Sequence, residues 1–223
     1  MDISKPKALK VVEAVLSSFR FSQYQIWKQT GVSFGQVNKV VKYLIERRAV
    51  MKIDKKYQVT SYSGVLALFV AHRTFPKPEA AFQVVGEKQE ILRYLAEHGC
   101  TFCLTTAWRH YDDYLHDGAI HAYLPADLNA QKKIIAEMSA QPNGIQLINL
   151  YPQDIAVEPV KEPNKTIDKN DKQPPGPFSE PLKPLKNLPL TSEIRTLLDM
   201  YSSHYAYGVQ NWITKKVGQW PRE

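Results

Sequence analysis

Gly31 to Arg48, GVSFGQVNKVVKYLIERR, decides how this chain is read. Val37, Val40, Val41, Leu44 and Ile45 recur at i, i+3, i+4, i+7 and i+8, which draws one apolar stripe along a helix of 3.6-residue period and requires that face to be buried. The other face carries Ser33, Gln36, Asn38, Lys39, Lys42, Tyr43, Arg47 and Arg48, donors and cations with almost no acid among them. Such a face suits a DNA groove. Ser33 followed three residues later by Gln36 has the spacing of a capping box and fixes the expected start of the helix.

Working outward, Ser22 to Thr30 (SQYQIWKQT) reads as a short helix that buries Ile26 and Trp27, and Gly31 supplies the turn between the two helices. That is a helix-turn-helix pattern. Lys5 to Phe19 gives a first, supporting helix with Leu9, Val12, Val15 and Leu16 inward. Ala49 to Tyr62 alternates apolar and polar residues on both sides of Asp54-Lys55-Lys56, as a hairpin with a charged tip does. Lys52, Lys55 and Lys56 then stand where a wing meets phosphates.

Residues 5 to 62 resemble the winged-helix DNA-binding domains of bacterial and archaeal transcription regulators. The resemblance implies that Gln36, Asn38, Lys39 and Lys42 enter a major groove. Lysines chiefly position a protein on phosphates, whereas amides pair bidentately with adenine, so Gln36 and Asn38 are the expected base readers. The expected interface comprises Ser33, Gln36, Asn38, Lys39, Lys42, Tyr43, Arg47, Lys52, Lys55 and Lys56, with double-stranded DNA as partner.

Charge supports that assignment. Residues 1 to 75 carry nine Lys and four Arg against Asp2, Glu13, Glu46 and Asp54, a balance of +9, while the remainder of the chain balances at −2 within a total of +7. Phosphate contacts by Lys and Arg release condensed counterions, so nucleic-acid binders gather positive charge on one face.

Beyond Arg48 the reading is coarser. Ser63 to Phe75 (SGVLALFVAHRTF) is an apolar helix that packs inside or against a second copy, and Pro76-Lys77-Pro78 marks a domain boundary. The expected domains are residues 1–75 and 79–223. In the second, helices are expected over Glu87–His98, Thr106–Leu115 and Asn129–Ala140. Strand-like segments fall at Phe102–Leu104, Ala119–Leu124 and Ile145–Leu150. Alternation of this kind argues for an α/β layer domain. Residues 152–190 hold nine of the 15 prolines among many charges and read as a loop or extended arm. Ser192 to Val217 reads as a closing helix with Ile194, Leu197, Leu198, Tyr201 and Tyr205 on one side.

Cys103-Leu104-Thr105-Thr106-Ala107, His121-Ala122-Tyr123-Leu124-Pro125, and Thr191-Ser192 with Leu197-Leu198-Asp199 resemble segments of the AbiEi-type antitoxin and regulator family. Thr106 stands where that family has glycine, and the proline-rich insertion is an addition. The resemblance implies DNA-binding regulation of a toxin operon or of the gene's own promoter, with a toxin-like protein or a second copy as partner.

Other classes leave weaker marks. With 223 residues, 43% of them apolar, one large or two modest packed domains are expected. No run of about 18 apolar residues and no signal-peptide pattern is present, so a cytoplasmic protein without a membrane span is expected. Cys100 and Cys103 have C-x-x-C spacing but no second pair for zinc, and read as buried thiols. His110, Asp112, Asp113, His116 and Asp117 are types that ligate metal or share protons. With no glycine-rich phosphate loop or Gly-x-Ser-x-Gly, neither an enzyme nor a cofactor is expected. The alternatives are a helix-turn-helix that docks a protein, and a ligand-responsive domain centred on His110 and Asp113.

Overall fold

The computed structural model describes residues 1–112, 115, 117–153 and 188–218, apart from the side chains of residues 216 and 217. It is a mixed α+β chain with two small sheets. The first part runs α1 (Pro6–Leu16), β1 (Arg20–Phe21), α2 (Gln23–Thr30), α3 (Phe34–Glu46), β2 (Val50–Ile53) and β3 (Lys56–Val59). β3 is the central strand, antiparallel to β1 on one side and β2 on the other.

Local chemistry explains these elements, with one correction. The capping box belongs to α2: Ser22 Oγ accepts from Gln25 N–H, and Gln25 Oε1 accepts from Ser22 N–H. Ser33 occupies the N-cap of α3, but its side chain makes no capping bond. Gly31 closes α2 at φ 63°, a left-handed conformation that costs a residue without Cβ little. α3 ends with Arg48 left-handed at φ 58°; Arg48 N–H donates to the Ile45 carbonyl and Ala49 N–H to that of Leu44. This doubled bond stops the helix without glycine. Asp54 and Lys55 form the two-residue tip between β2 and β3, with Asp54 at φ 54°. Val37, Val40, Val41 and Leu44 are fully buried, Ile45 is half-buried, and Trp27, expected inside, is 38% exposed.

After α4 (Tyr62–Val70) come β4 (Ala80–Val84), α5 (Lys88–Glu97), β5 (Thr101–Phe102), α6 (Leu104–Trp108), β6 (Ile120–Tyr123), α7 (Leu128–Ser139) and β7 (Gln146–Tyr151). The sheet order is β4-β7-β6-β5. β6 and β7 run parallel, while β4 with β7 and β5 with β6 are antiparallel. The alternation in sequence therefore yields a mixed sheet rather than the parallel one of an α/β layer, because β4 and β5 pair antiparallel with their neighbours; Leu190 forms a parallel bridge to Phe102 on the outer side of β5. β4 precedes the alternating pattern and has no counterpart in it. α6 stops at Trp108, well short of the expected Leu115. The expected closing helix is three pieces: α8 (Glu193–Tyr201), a 3-10 turn (Ala206–Val209) and α9 (Gln210–Gly218).

Two apolar clusters divide the buried residues. One lies between the second sheet and α5 and α7, through Leu92, Leu95, Ile134, Ile148 and Leu150. The other joins the interiors of α1, α3 and α4 to Trp108, Leu197, Leu198 and Trp212. The Trp212 ring lies 6.0 Å from Tyr62 and 5.9 Å from Trp108, within the range of edge-to-face contact. A buried polar group crosses the same junction. Asp199 accepts from Arg195 Nε at 3.0 and 3.1 Å, from Arg73 Nη2 at 3.4 Å and from Tyr123 OH at 2.9 Å. Burial works against the Arg195 cation, but Asp199, then Tyr123 and Glu13, hold its pKa above the ordinary value. No described helix is long and apolar enough to cross a membrane.

Candidate functional site

α3 turns its apolar stripe inward, so its polar residues are left to solvent. Ser33, Asn38, Lys39, Lys42, Arg47 and Arg48 are exposed, and Gln36 and Tyr43 are half-buried. Lys52, Lys55 and Lys56 on the β2–β3 hairpin are exposed too. Among the described residues, no ion pair engages Lys39, Lys42, Lys52, Lys55 or Lys56. Their charges are therefore not neutralised by that part of the chain.

The polar residues of α3 separate into two groups. Asn38 Oδ1 accepts from Gln23 Nε2 at 3.1 Å, an amide pair that links α3 to α2. Gln36, Lys39, Lys42 and Tyr43 instead line a cleft of about 820 Å³ whose opposite wall is the first turn of α1 with Lys5 and Lys7. Gln36, expected to read bases beside Asn38, lines this cleft from α3. Lys5 and Lys7 were not assigned to a site from sequence, because nothing in their spacing places the start of α1 against α3.

Two acids, Asp2 and Glu46, also line this cleft. Asp2 is turned to its own segment: its carboxylate accepts from Ser4 N–H at 2.9 Å and Ser4 Oγ at 2.6 Å. These bonds, with smaller help from His72 and Lys5, lower its pKa. The Tyr43 hydroxyl lies 3.2 Å from His72 Nε2, and the Arg47 guanidinium stands 5.6 Å from the centre of the Tyr43 ring. Tyr43 thereby lies against Arg47 at the end of α3 and links α3 to His72, just after α4. Tyr24, Trp27 and Phe34 are exposed by 55%, 38% and 49%, with Tyr24 and Trp27 rings 5.3 Å apart.

A second polar cluster lies at the far sheet. His121 on β6, buried to 1%, sets Nε2 2.7 Å from Asp117 Oδ2 and Nδ1 2.9 Å from the Tyr151 hydroxyl. Asp117 also accepts from Thr105 Oγ1 at 2.8 Å and from the Tyr205 hydroxyl. Burial alone would raise the Asp117 carboxyl, but its bond and charge contact with His121, then Tyr205 and Thr105, hold it well below the usual range. Asp117 Oδ1 also accepts from the Ala119 N–H at 3.2 Å, and the cluster links the segment before β6 to α6, to β7 and to Tyr205 ahead of the 3-10 turn. α6 ends at Trp108, before His110, and Asp113 and His116 of the expected cluster lie outside the described residues. Among the described residues no group of three His, Cys, Asp or Glu is placed to hold a metal ion. Cys100 and Cys103 are free, buried thiols, and burial pushes Cys100 up to about 12 and Cys103 well above its ordinary value.

No protein-family model, curated protein or solved structure matches this chain.

Proposed function

We propose that the chain is a winged helix-turn-helix regulator that binds double-stranded DNA, with residues 1–75 as the reading domain and 79–223 as a regulatory or partner-binding domain. The observation that carries this is the row of exposed lysines on α3 and the β2–β3 hairpin, unpaired among the described residues, beside an element order α1-β1-α2-α3-β2-β3. An interface of this kind gains affinity by releasing counterions from phosphates, and a recognition helix in a major groove is the docking mode of such folds. Asn38 with its partner Gln23 is the assigned base reader, and Lys39, Lys42, Lys52, Lys55 and Lys56 hold phosphates. The likeness to AbiEi-type regulators favours autoregulation beside a toxin-like partner, and we place the protein in the cytoplasm as a binding protein rather than an enzyme.

The test is fluorescence anisotropy with duplex DNA over a salt series. Wild type is expected to bind with an affinity that falls steeply with salt, and a Lys39→Ala, Lys42→Ala variant to lose about 1.8 from the slope of log K against log salt, at about 0.9 per phosphate contact. Equal binding by variant and wild type defeats the reading. A second reading, docking of a protein on the same helices, is favoured by exposed Tyr24, Trp27 and Phe34. It predicts no duplex binding at low salt, and loss of a co-purifying partner in Trp27→Ala.

A further inference from the structure

The cleft between α1 and α3 is a feature that the sequence pattern of a reading helix does not contain. Its two walls belong to different helices, and each supplies cations: Lys5 and Lys7 from α1, Lys39 and Lys42 from α3. All four are exposed, and no ion pair engages any of them among the described residues. Asp2, the acid on the α1 side, is hydrogen-bonded to Ser4 and keeps its charge beside His72 and Lys5. Four exposed lysines therefore line one open cleft, together with Glu46 and a hydrogen-bonded Asp2.

The cleft follows α3 from Gln36 to Glu46, about 15 Å at 1.5 Å per residue. That length takes a short stretch of one strand, in which each nucleotide carries one phosphate charge. A polyanion fits lysines that stand on both walls, Lys5 and Lys7 at the start of α1 and Lys39 and Lys42 one turn apart on α3. Ammonium groups on flexible stems hold such phosphates as point charges without reading sequence.

We infer that this cleft seats a length of one phosphodiester strand, with Lys5 and Lys7 as backbone-binding residues opposite Lys39 and Lys42. The inference rests on the duplex binding proposed above and divides its interface in two. The α1–α3 cleft anchors the backbone on one flank of α3, while Asn38 and Gln23 face the bases. Lys5 and Lys7 then add affinity for any sequence and no preference among sequences.

The probe is a labelled mixed-sequence duplex, titrated with the full chain at several salt concentrations. Lys5→Ala, Lys7→Ala is expected to weaken binding and to lower the salt slope by about 1.8, as two lost phosphate contacts require. Lys5→Arg, Lys7→Arg is expected to keep the wild-type slope, because the charge is retained. Unchanged thermal unfolding of the alanine variant shows that the loss is not one of folding. An alanine variant with wild-type affinity and slope, alongside a Lys39→Ala, Lys42→Ala variant that binds weakly, overturns the inference and leaves duplex binding standing. A wild-type chain that binds no duplex at low salt overturns both.

Discussion

Replacing Asp199 by alanine tests whether the buried charges at the α8 junction hold the two parts of the chain together. The Asp199 side chain is fully buried, and those of Arg195 and Arg73 are 4% and 5% exposed. Truncation removes the carboxylate that accepts from both guanidinium groups and from the Tyr123 hydroxyl. Removing one partner of a buried pair costs about 3–5 kcal/mol, since the remaining charge keeps its desolvation penalty. Glu13 stands 3.9 Å from Arg195 Nη1 and offsets part of that loss, so the lower end of the range applies. Against a total stability of about 5–15 kcal/mol this is a large fraction. At about 2–4 °C per kcal/mol for a chain of this size, about 3 kcal/mol lowers the melting temperature by about 6–12 °C. Thermal unfolding followed by circular dichroism measures it, with Lys133→Ala as a control. The exposed Lys133 and Glu137 pair, 3.8 Å apart, contributes less than about 1 kcal/mol. A loss from Asp199→Ala no larger than that of the control refutes the reasoning.

Two further outcomes follow from buried titratable groups. The Cys100 and Cys103 thiols should stay unmodified by a thiol reagent at about pH 8 in the folded protein and react together on unfolding, because burial raises both pKa values; rapid labelling of the native chain contradicts their burial. Glu13 is pushed by burial, against the pull of Arg195, up to about 7 from an ordinary 4.5. A carboxyl raised on folding contributes stability that is complete below its unfolded pKa and lost as pH rises through its folded one. Glu13→Gln should therefore gain stability relative to wild type between about pH 5 and about pH 8, and a pH-independent difference in denaturant midpoints argues against the shift.

The local elements were largely written in the residues themselves. The period of Val37, Val40, Val41 and Leu44 demanded a buried helix face, and the alternation around Asp54-Lys55 gave a hairpin, because both patterns are set by backbone geometry that any tertiary context must respect. Where competing local bonds exist, the sequence was ambiguous: Ser33 and Gln36 have capping-box spacing, yet the box formed at Ser22 and Gln25 instead. β1 is two residues long, too short for any period, and it exists only because β3 offers an open edge. β4 likewise depends on β7, distant in sequence.

The candidate interface divides along the same line. That α3 presents Asn38, Lys39 and Lys42 to solvent was legible, since the face opposite a buried stripe is exposed by geometry. That Lys5 and Lys7 share a cleft with Lys39 and Lys42, and that Asn38 is held by Gln23, was not, because these pairs are contacts between helices whose packing no single segment encodes. The sequence alone determined which residues must be inside each element and where positive charge gathers. Only the tertiary structure decided which helices meet, and with them that the last helices complete the core under α1 and α4. Burial is enforced residue by residue, whereas the choice of neighbour is made by the whole chain at once.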